Sequence, residues 1–229
     1  MNYQLTPIAH IETDFPTKFG VPRQSGLVKG LKGRIVFEPD YREPEALRGL
    51  EGFSHIWLLW DFSEARKTFS FRPTVRPPRL GGNRRVGVFA TRSPFRPNNI
   101  GLSSVRILSI DLHTSDGPVI EVEGADLMDG TPIFDIKPYL PFTDCHPDAW
   151  GSLTPDLSPA DEARTVRFSD ELLSAYDAEH IDALRQVLLS DPRPHYHDDE
   201  ERVYGFEFAG REVKFRMAKD VVEAWIEHT

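Results

Sequence analysis

The chain of 229 residues carries 27 basic and 36 acidic side chains for a net charge of −9, with 39% apolar and 11% aromatic residues, enough for a real core in one large domain or a main domain with an appendage. No apolar run approaches the roughly 20 residues that span a bilayer, and Met1-Asn2-Tyr3-Gln4 lacks the basic-then-apolar order of a signal peptide, so a soluble protein of the cytoplasm is expected. A single cysteine, Cys145, excludes an internal disulfide, and with only His146 beside it no catalytic thiol is expected.

In chain order, the first 140 residues read as β-rich. Gln4 to Ile11, Gly33 to Glu38, His55 to Phe62, Arg85 to Thr91, Leu102 to Leu112 and Val119 to Glu123 are short β-branched or aromatic runs bounded by Gly, Pro and Asp. Such spacing predicts a barrel or a sandwich. Ile56-Trp57-Leu58-Leu59-Trp60 is apolar on both faces and predicts a central strand, whereas Val119-Ile120-Glu121-Val122-Glu123 alternates and predicts one wet face. Only Pro44 to Leu50 reads as helical in this half.

From Pro141 to Ala163 the composition shifts to Pro, Asp, Ser and Thr without periodicity, which reads as a linker or long surface loop. The expected organisation is a β domain over residues 1–142, a linker over 143–164 and a small α+β appendage over 165–229. In the appendage Thr165 to Phe168 is a short strand and Ser169 an N-cap with acidic residues after it. Leu172, Leu173, Tyr176, Ile181, Leu184 and Leu188 then give helical faces that end before Pro192. Tyr204 to Phe208 and Val213 to Met217 flank Ala209-Gly210-Arg211-Glu212, a hairpin signature, so a β-α-β-β unit is expected.

Charge is distributed unevenly. Between Ala65 and Ile110 there are 10 basic residues and no Asp or Glu: Arg66, Lys67, Arg72, Arg76, Arg79, Arg84, Arg85, Arg92, Arg96 and Arg106. Elsewhere 17 basic residues face all 36 acidic ones. Arginine grips phosphate and carboxylate through two parallel bonds, so an anionic ligand is one reading; pairing with the acidic remainder of the protein is the other. Arg72 and Arg76 each precede a proline, which drives them out of helix and displays them from a stiff, extended loop.

No G-x-G-x-x-G, G-x-x-x-x-G-K, G-x-S-x-G or H-E-x-x-H is present. His195-x-His197 with Asp198 and Asp199 has no third converging ligand, and no metal site is expected there. In an extended run from Ile133 to Tyr139, alternation puts Asp135, Lys137 and Tyr139 on one face and Phe134 and Ile136 on the other. That row is either an acid/base and orienting cluster or an ion pair that fastens the chain.

Several motifs carry a resemblance. Pro22-Arg23-Gln24-Ser25-Gly26-Leu27, Gly52 to Trp57, Arg72 to Arg79, Gly87 to Asn98, Asp129 to Pro141 and Ser190-Asp191-Pro192-Arg193-Pro194-x-Tyr196 closely resemble the TrmO (TsaA-like, YaeB) family of tRNA methyltransferases. The resemblance covers nearly the whole chain. It implies a mainly β protein: a small TsaA-like β-barrel that binds S-adenosyl-L-methionine without a Rossmann fold near a homodimer interface, with a small α+β C-terminal appendage. The implied reaction is methylation of the exocyclic nitrogen of threonylcarbamoyladenosine beside the anticodon of a threonine tRNA.

By motif match the implied cofactor contacts are Pro22, Arg23, Gln24, Ser63, Glu64, Arg92, Leu102, Asp126, Leu127, Met128 and Asp129. Two positions depart from the family pattern: Ser63-Glu64 stands where His-Gln is common, at a cofactor contact, and Asn98-Asn99 where Asn-Pro is common, which alters loop stiffness. The acceptor nitrogen is urea-like and weakly nucleophilic, which assigns Asp135 as base, Tyr139 as relay or orienter and Lys137 as the grip on the threonyl carboxylate or a phosphate. Arg72, Arg76, Arg79, Arg84, Arg85, Arg96 and Arg193 are the expected tRNA contacts. Phe71 and Phe95 read either as stacking platforms or as core. A barrel that only binds RNA or a small molecule, and a methyltransferase with a non-tRNA acceptor, are the alternatives.

Overall fold

The computed structural model describes residues 4–66, 71–77, 84–151, 164–193 and 199–227. Six strands close a barrel: β1 (Ala9–Thr13), β2 (Lys32–Phe37), β3 (His55–Asp61), β6 (Ile100–Thr114), β7 (Gly117–Glu123) and β8 (Thr131–Pro138), in the order β1-β2-β7-β6-β3-β8. Every ladder in it is antiparallel. Closure leaves no strand edge unpaired, so the doubly apolar β3 sits between β6 and β8 as its pattern requires. Ile11, Ile35, Ile56, Leu58, Val105, Ile120, Val122 and Ile133 fill the interior. Burial of each such side chain contributes about 1.5–3 kcal/mol.

Two connections differ from the sequence expectation. Arg85 to Thr91 is not one strand: β4 (Thr74–Val75) pairs with β5 (Val86–Gly87) over two residues only. With no longer partner among the described residues to extend along, the chain turns through a 3-10 segment, Val88–Ala90, closed where Thr91 N and Oγ1 both donate to Val88 O at 3.1 and 2.8 Å. Pro44 to Leu50 likewise forms 3-10 turns, Pro44–Leu47 and Leu50–Gly52, not an α-helix. A four-residue helix, α1 (Ser63–Arg66), leaves β3, and another, α2 (Pro141–Asp144), opens the aperiodic segment.

The C-terminal part is a four-stranded sheet in the order β10-β11-β12-β9, made of β9 (Thr165–Phe168), β10 (Val203–Phe208), β11 (Arg211–Met217) and β12 (Val221–Ile226). Helices α3 (Asp170–Ala175) and α4 (Ala178–Leu189) accompany it. Ser169 Oγ accepts from Leu172 N and Asp177 Oδ1 from His180 N, so both helices are capped. Ala209 (φ 46°) and Gly210 (φ 76°) form the two-residue left-handed turn that fits the right-handed twist of a hairpin. The sequence reading lacks β12, which pairs in parallel with β9.

The second core is not built from the C-terminal part alone. Phe15, Val28 and Leu31, with Phe19 and Val21 at its margin, join Leu172, Leu184, Leu188, Phe206, Phe208 and Phe215. Phe15 packs on Phe206 and Phe208 at centroid distances of 6.3 and 5.3 Å. The β1–β2 connection, which carries Pro22-Arg23-Gln24, is thereby clamped between barrel and C-terminal sheet.

Candidate active site

A cleft of about 570 Å3 opens where that clamped connection meets the barrel wall. Its lining comes from five places: Lys18 to Gln24; Trp60 to Glu64 at the end of β3; Thr91 to Arg96; Ile100 to Leu102 at the start of β6; and Asp126 to Met128 with Thr131, between β7 and β8. Of the eleven residues that the sequence nominates for cofactor contact, the structure gathers Pro22, Arg23, Gln24, Ser63, Glu64, Arg92, Leu102, Asp126, Leu127 and Met128 here. Asp129 lies outside: its Oδ1 accepts from Thr13 N at 2.9 Å and its own N–H donates to Phe15 O, which fixes the exit of β1.

The floor is a polar chain sunk in apolar surroundings. Trp60 Nε1 donates to the buried Ser103 Oγ at 2.9 Å, and Ser103 Oγ donates on to Asp126 Oδ1. Burial pushes the Asp126 carboxyl above its ordinary range, and the Ser103 hydrogen bond and the Arg92 charge offset only part of that. Gly101 lets the Trp60 indole lie against the β6 backbone; a Cβ there would stand 2.2 Å from Trp60 Cε2. Asp61, 5% exposed, joins the lining beside Phe62. Sequence reasoning missed Lys18, Asp61, Thr91 and the Ser103 link; a carboxylate and two serines inside otherwise apolar strands were the available signal.

The side wall is cross-braced. Arg92 Nη1 donates to Gln24 Oε1, and Gln24 Nε2 donates to Arg23 O. Arg23 Nη2 donates to the carbonyls of Asp191 and Arg193, both at 3.2 Å. Arg193, 13% exposed in its side chain, is held by Nε and Nη2 on the two oxygens of Asp191, each at 2.9 Å, and stands as a brace behind the wall.

A second cavity of about 900 Å3 shares Gln24, Thr91, Arg92, Pro94 and Phe95 with the first and adds Arg72, Arg76 and Arg85. Arg72 lies over the Phe95 ring at 5.3 Å, so Phe95 is half-buried beneath a cation. Among the described residues no carboxylate pairs with Arg72, Arg76 or Arg85. Arg84 is exposed and lines neither cavity, Arg96 lines the first, and Arg79, like His195 and His197, falls outside the described residues. No group of metal-binding side chains occurs among the described residues.

Asp135, Lys137 and Tyr139 do not line the cleft. Asp135 and Lys137 form an ion pair at 2.8 Å on the outside of β8, 44% and 61% exposed. A bulge lies behind this: Leu59 pairs with Asp135 and Trp60 with Ile133, so Phe134 is skipped and both Ile133 and Ile136 turn to the core. Tyr139 stacks obliquely on Trp57 at 5.6 Å. Register still ties the pair to the cleft, because Asp135, Leu59 and Leu102 form one row across β8, β3 and β6. Two strand spacings, roughly 10 Å, separate Asp135 from the cleft rim at Leu102.

Comparison with known proteins decides the family. The tRNA-methyltransferase O N-terminal domain matches residues 10–145, and the TrmO C-terminal domain matches residues 161–225. The chain belongs to the tRNA-methyltransferase O family. It is 44% identical over 206 residues to the tRNA (adenine(37)-N6)-methyltransferase of Escherichia coli, covering 87% of this chain and 86% of that protein. It is 41% identical over 214 residues to a putative S-adenosylmethionine-dependent methyltransferase of Pseudomonas aeruginosa, covering 90% and 88%. A crystal structure of TrmO superposes with a TM-score of 0.77 at 31% identity over 99% of both chains, and TrmO from Pseudomonas aeruginosa with 0.76 at 31% over 98% of both. The closed barrel and the α+β C-terminal part are thus those of the TrmO fold.

Proposed function

We propose that this protein transfers a methyl group from S-adenosylmethionine to the exocyclic N6 of threonylcarbamoyladenosine, beside the anticodon of a threonine tRNA. Likeness along almost the whole chain to the Escherichia coli tRNA (adenine(37)-N6)-methyltransferase carries this reading, since a barrel alone serves many ends. The cleft suits the donor in size and chemistry. Its volume of about 570 Å3 lies in the range of small-molecule sites. Phe62, Leu102, Leu127 and Met128 offer apolar surface to an adenine, Arg23 and Arg92 match a carboxylate, and Asp126 matches a cation. When bound, S-adenosylmethionine supplies an electrophilic methyl on a sulfonium.

The protein's own task is then to align a poor nucleophile and disperse its proton. Asp135 serves as base, Tyr139 orients the acceptor, and Lys137 grips the threonyl carboxylate or a phosphate. Arg72, Arg76 and Arg85, in the cavity beside the cleft, receive the RNA backbone together with Arg84 and Arg96, and the acid-free stretch offsets repulsion from the acidic remainder. The neighbouring Leu59 and Leu102 put apolar side chains on the outer wall of β3 and β6, Leu102 47% exposed, where a second copy of the chain would dock. Among the described residues no helix is long and apolar enough to cross a membrane. The proposed tRNA substrate supports the cytoplasm as the place of action.

Labelled methyl transfer to tRNA with and without the threonylcarbamoyl group tests the reading. Label on modified tRNA alone is expected. No transfer to either tRNA, or equal transfer to both, overturns it.

A further inference from the structure

Phe89 stands apart from every role assigned above. It is 72% exposed, more than any other large hydrophobic side chain among the described residues of 4–137, yet it does not sit on a loose tip. The 3-10 turn that carries it is closed by Thr91 on Val88 O and fastened to the neighbouring strand by Val88 N donating to Pro73 O at 3.0 Å. Arg96 supports the ring from one side, its Cζ 5.7 Å from the ring centroid. Arg96 is itself pinned, because Nη1 donates to the carbonyls of Val88 and Thr91, and it lines the cleft.

A rigid aromatic ring backed by a fixed guanidinium, left open on its other face and set in a stretch free of carboxylates, presents a stacking plane beside cations. Apolar protein partners gain little from the cations around it. An unpaired nucleobase uses both: its π-face meets the ring and its phosphates meet the arginines. We propose that Phe89 is the platform on which an unpaired anticodon-loop base, flanking the base that receives the methyl group, stacks. The inference rests on the tRNA reading and adds to it how the loop is held open. Phe95, by contrast, already lies beneath Arg72 and serves that arginine.

Methyl-transfer kinetics on threonylcarbamoyl-modified tRNA, for Phe89→Ala, Phe89→Leu and Phe89→Trp, test it. Loss of one base stack corresponds to a roughly tenfold or greater rise in KM for tRNA. That rise is expected in the Ala and Leu variants, with rescue by Trp, and with S-adenosylmethionine affinity, melting temperature and the light-scattering mass unchanged. The Trp variant's added fluorescence should quench on an anticodon stem-loop. Wild-type KM in Phe89→Ala, a Leu variant as good as Trp, or a change of oligomeric mass in place of tRNA affinity overturns the platform. A wild-type protein that neither binds nor methylates modified tRNA instead overturns the function on which it rests.

Discussion

Arg23, in the wall of the cleft, donates from Nη2 to the backbone oxygen of Asp191, some 170 residues away in the C-terminal part. Asp191 adopts φ 50° and its carboxylate binds Arg193 and, at 3.3 Å, Arg164, so one side chain stiffens the turn whose two carbonyls aim Arg23. Asp191→Ala removes the carboxylate that Arg193 and Arg164 both hold and places alanine where left-handed backbone is costly. The expected loss is about 2–4 kcal/mol in chemical denaturation, with weaker S-adenosylmethionine binding by calorimetry. Asp191→Asn, which tolerates that φ, should lie between. Destabilisation with unchanged cofactor affinity would sink the link from this brace to the cleft.

The same carboxylate gives an acid limb to stability. Burial raises the Asp191 pKa, but the Arg193 hydrogen bonds and the Arg193 and Arg164 charges outweigh it and hold the group below the usual carboxylate range. A depressed folded pKa stabilises the protein above the unfolded value of about 3.9 and loses that contribution as pH falls through the folded one. Tyr176 works in the opposite sense. Burial pushes its phenol to about 12, and its hydroxyl donates to Phe208 O at 2.7 Å. Its contribution is complete below about pH 10 and is lost as pH rises through about 12. Tyr176→Phe should cost about 1 kcal/mol near neutrality and flatten the alkaline fall. Denaturation midpoints between pH 8 and 11 that run parallel in the two proteins contradict this.

Gly101 tests the cleft floor. A methyl group there must displace Trp60, whose Nε1 holds the Ser103 link to Asp126. Overpacking of this kind costs about 1–3 kcal/mol, and because the displaced indole lines the cleft, cofactor affinity should fall with stability. A Gly101→Ala protein with wild-type melting temperature and S-adenosylmethionine affinity would show that Trp60 is not fixed there.

The barrel was legible because its strands are β-branched or aromatic runs set off by Gly, Pro and Asp, and residues 55–61 keep one pattern throughout. Two elements escaped for reasons that local pattern cannot carry. Arg85 to Thr91 has strand composition but, among the described residues, pairs only with Thr74 and Val75, so it turns. Val221–Ile226 becomes a strand through parallel pairing with Thr165–Phe168, a contact made far along the chain. Resemblance marked Pro22 to Gln24, Arg92 and Asp126 to Met128, whereas Asp61 and Ser103 escaped as ordinary strand residues. Arg193 reads in sequence as a tRNA contact; the left-handed turn at Asp191 folds its guanidinium back onto a carboxylate.

Asp135 and Lys137 separate chemistry from structure more sharply than any other pair. Both are exposed, and their 2.8 Å contact is of the kind worth about 0–1 kcal/mol, so Asp135→Asn and Lys137→Ala should leave the melting temperature nearly unchanged. Neither lines the cleft, so S-adenosylmethionine affinity should also hold. A base acting on the acceptor nitrogen contributes about 10²–10⁴-fold, and Asp135→Asn should lower kcat within that range, with Lys137→Ala raising KM for the modified tRNA. The carboxylate is not ready-made for this work: Oδ2 holds Lys137 and Oδ1 accepts from Ile136 N at 2.9 Å. Lys137 must therefore turn to the substrate as it binds, which frees Oδ2 to face the acceptor nitrogen. Single-turnover methyl transfer with saturating cofactor measures the step directly. Near-wild-type rates in both variants would reduce the pair to a surface ion pair on the β8 strand and move the search for the base to the buried carboxylate of Asp126.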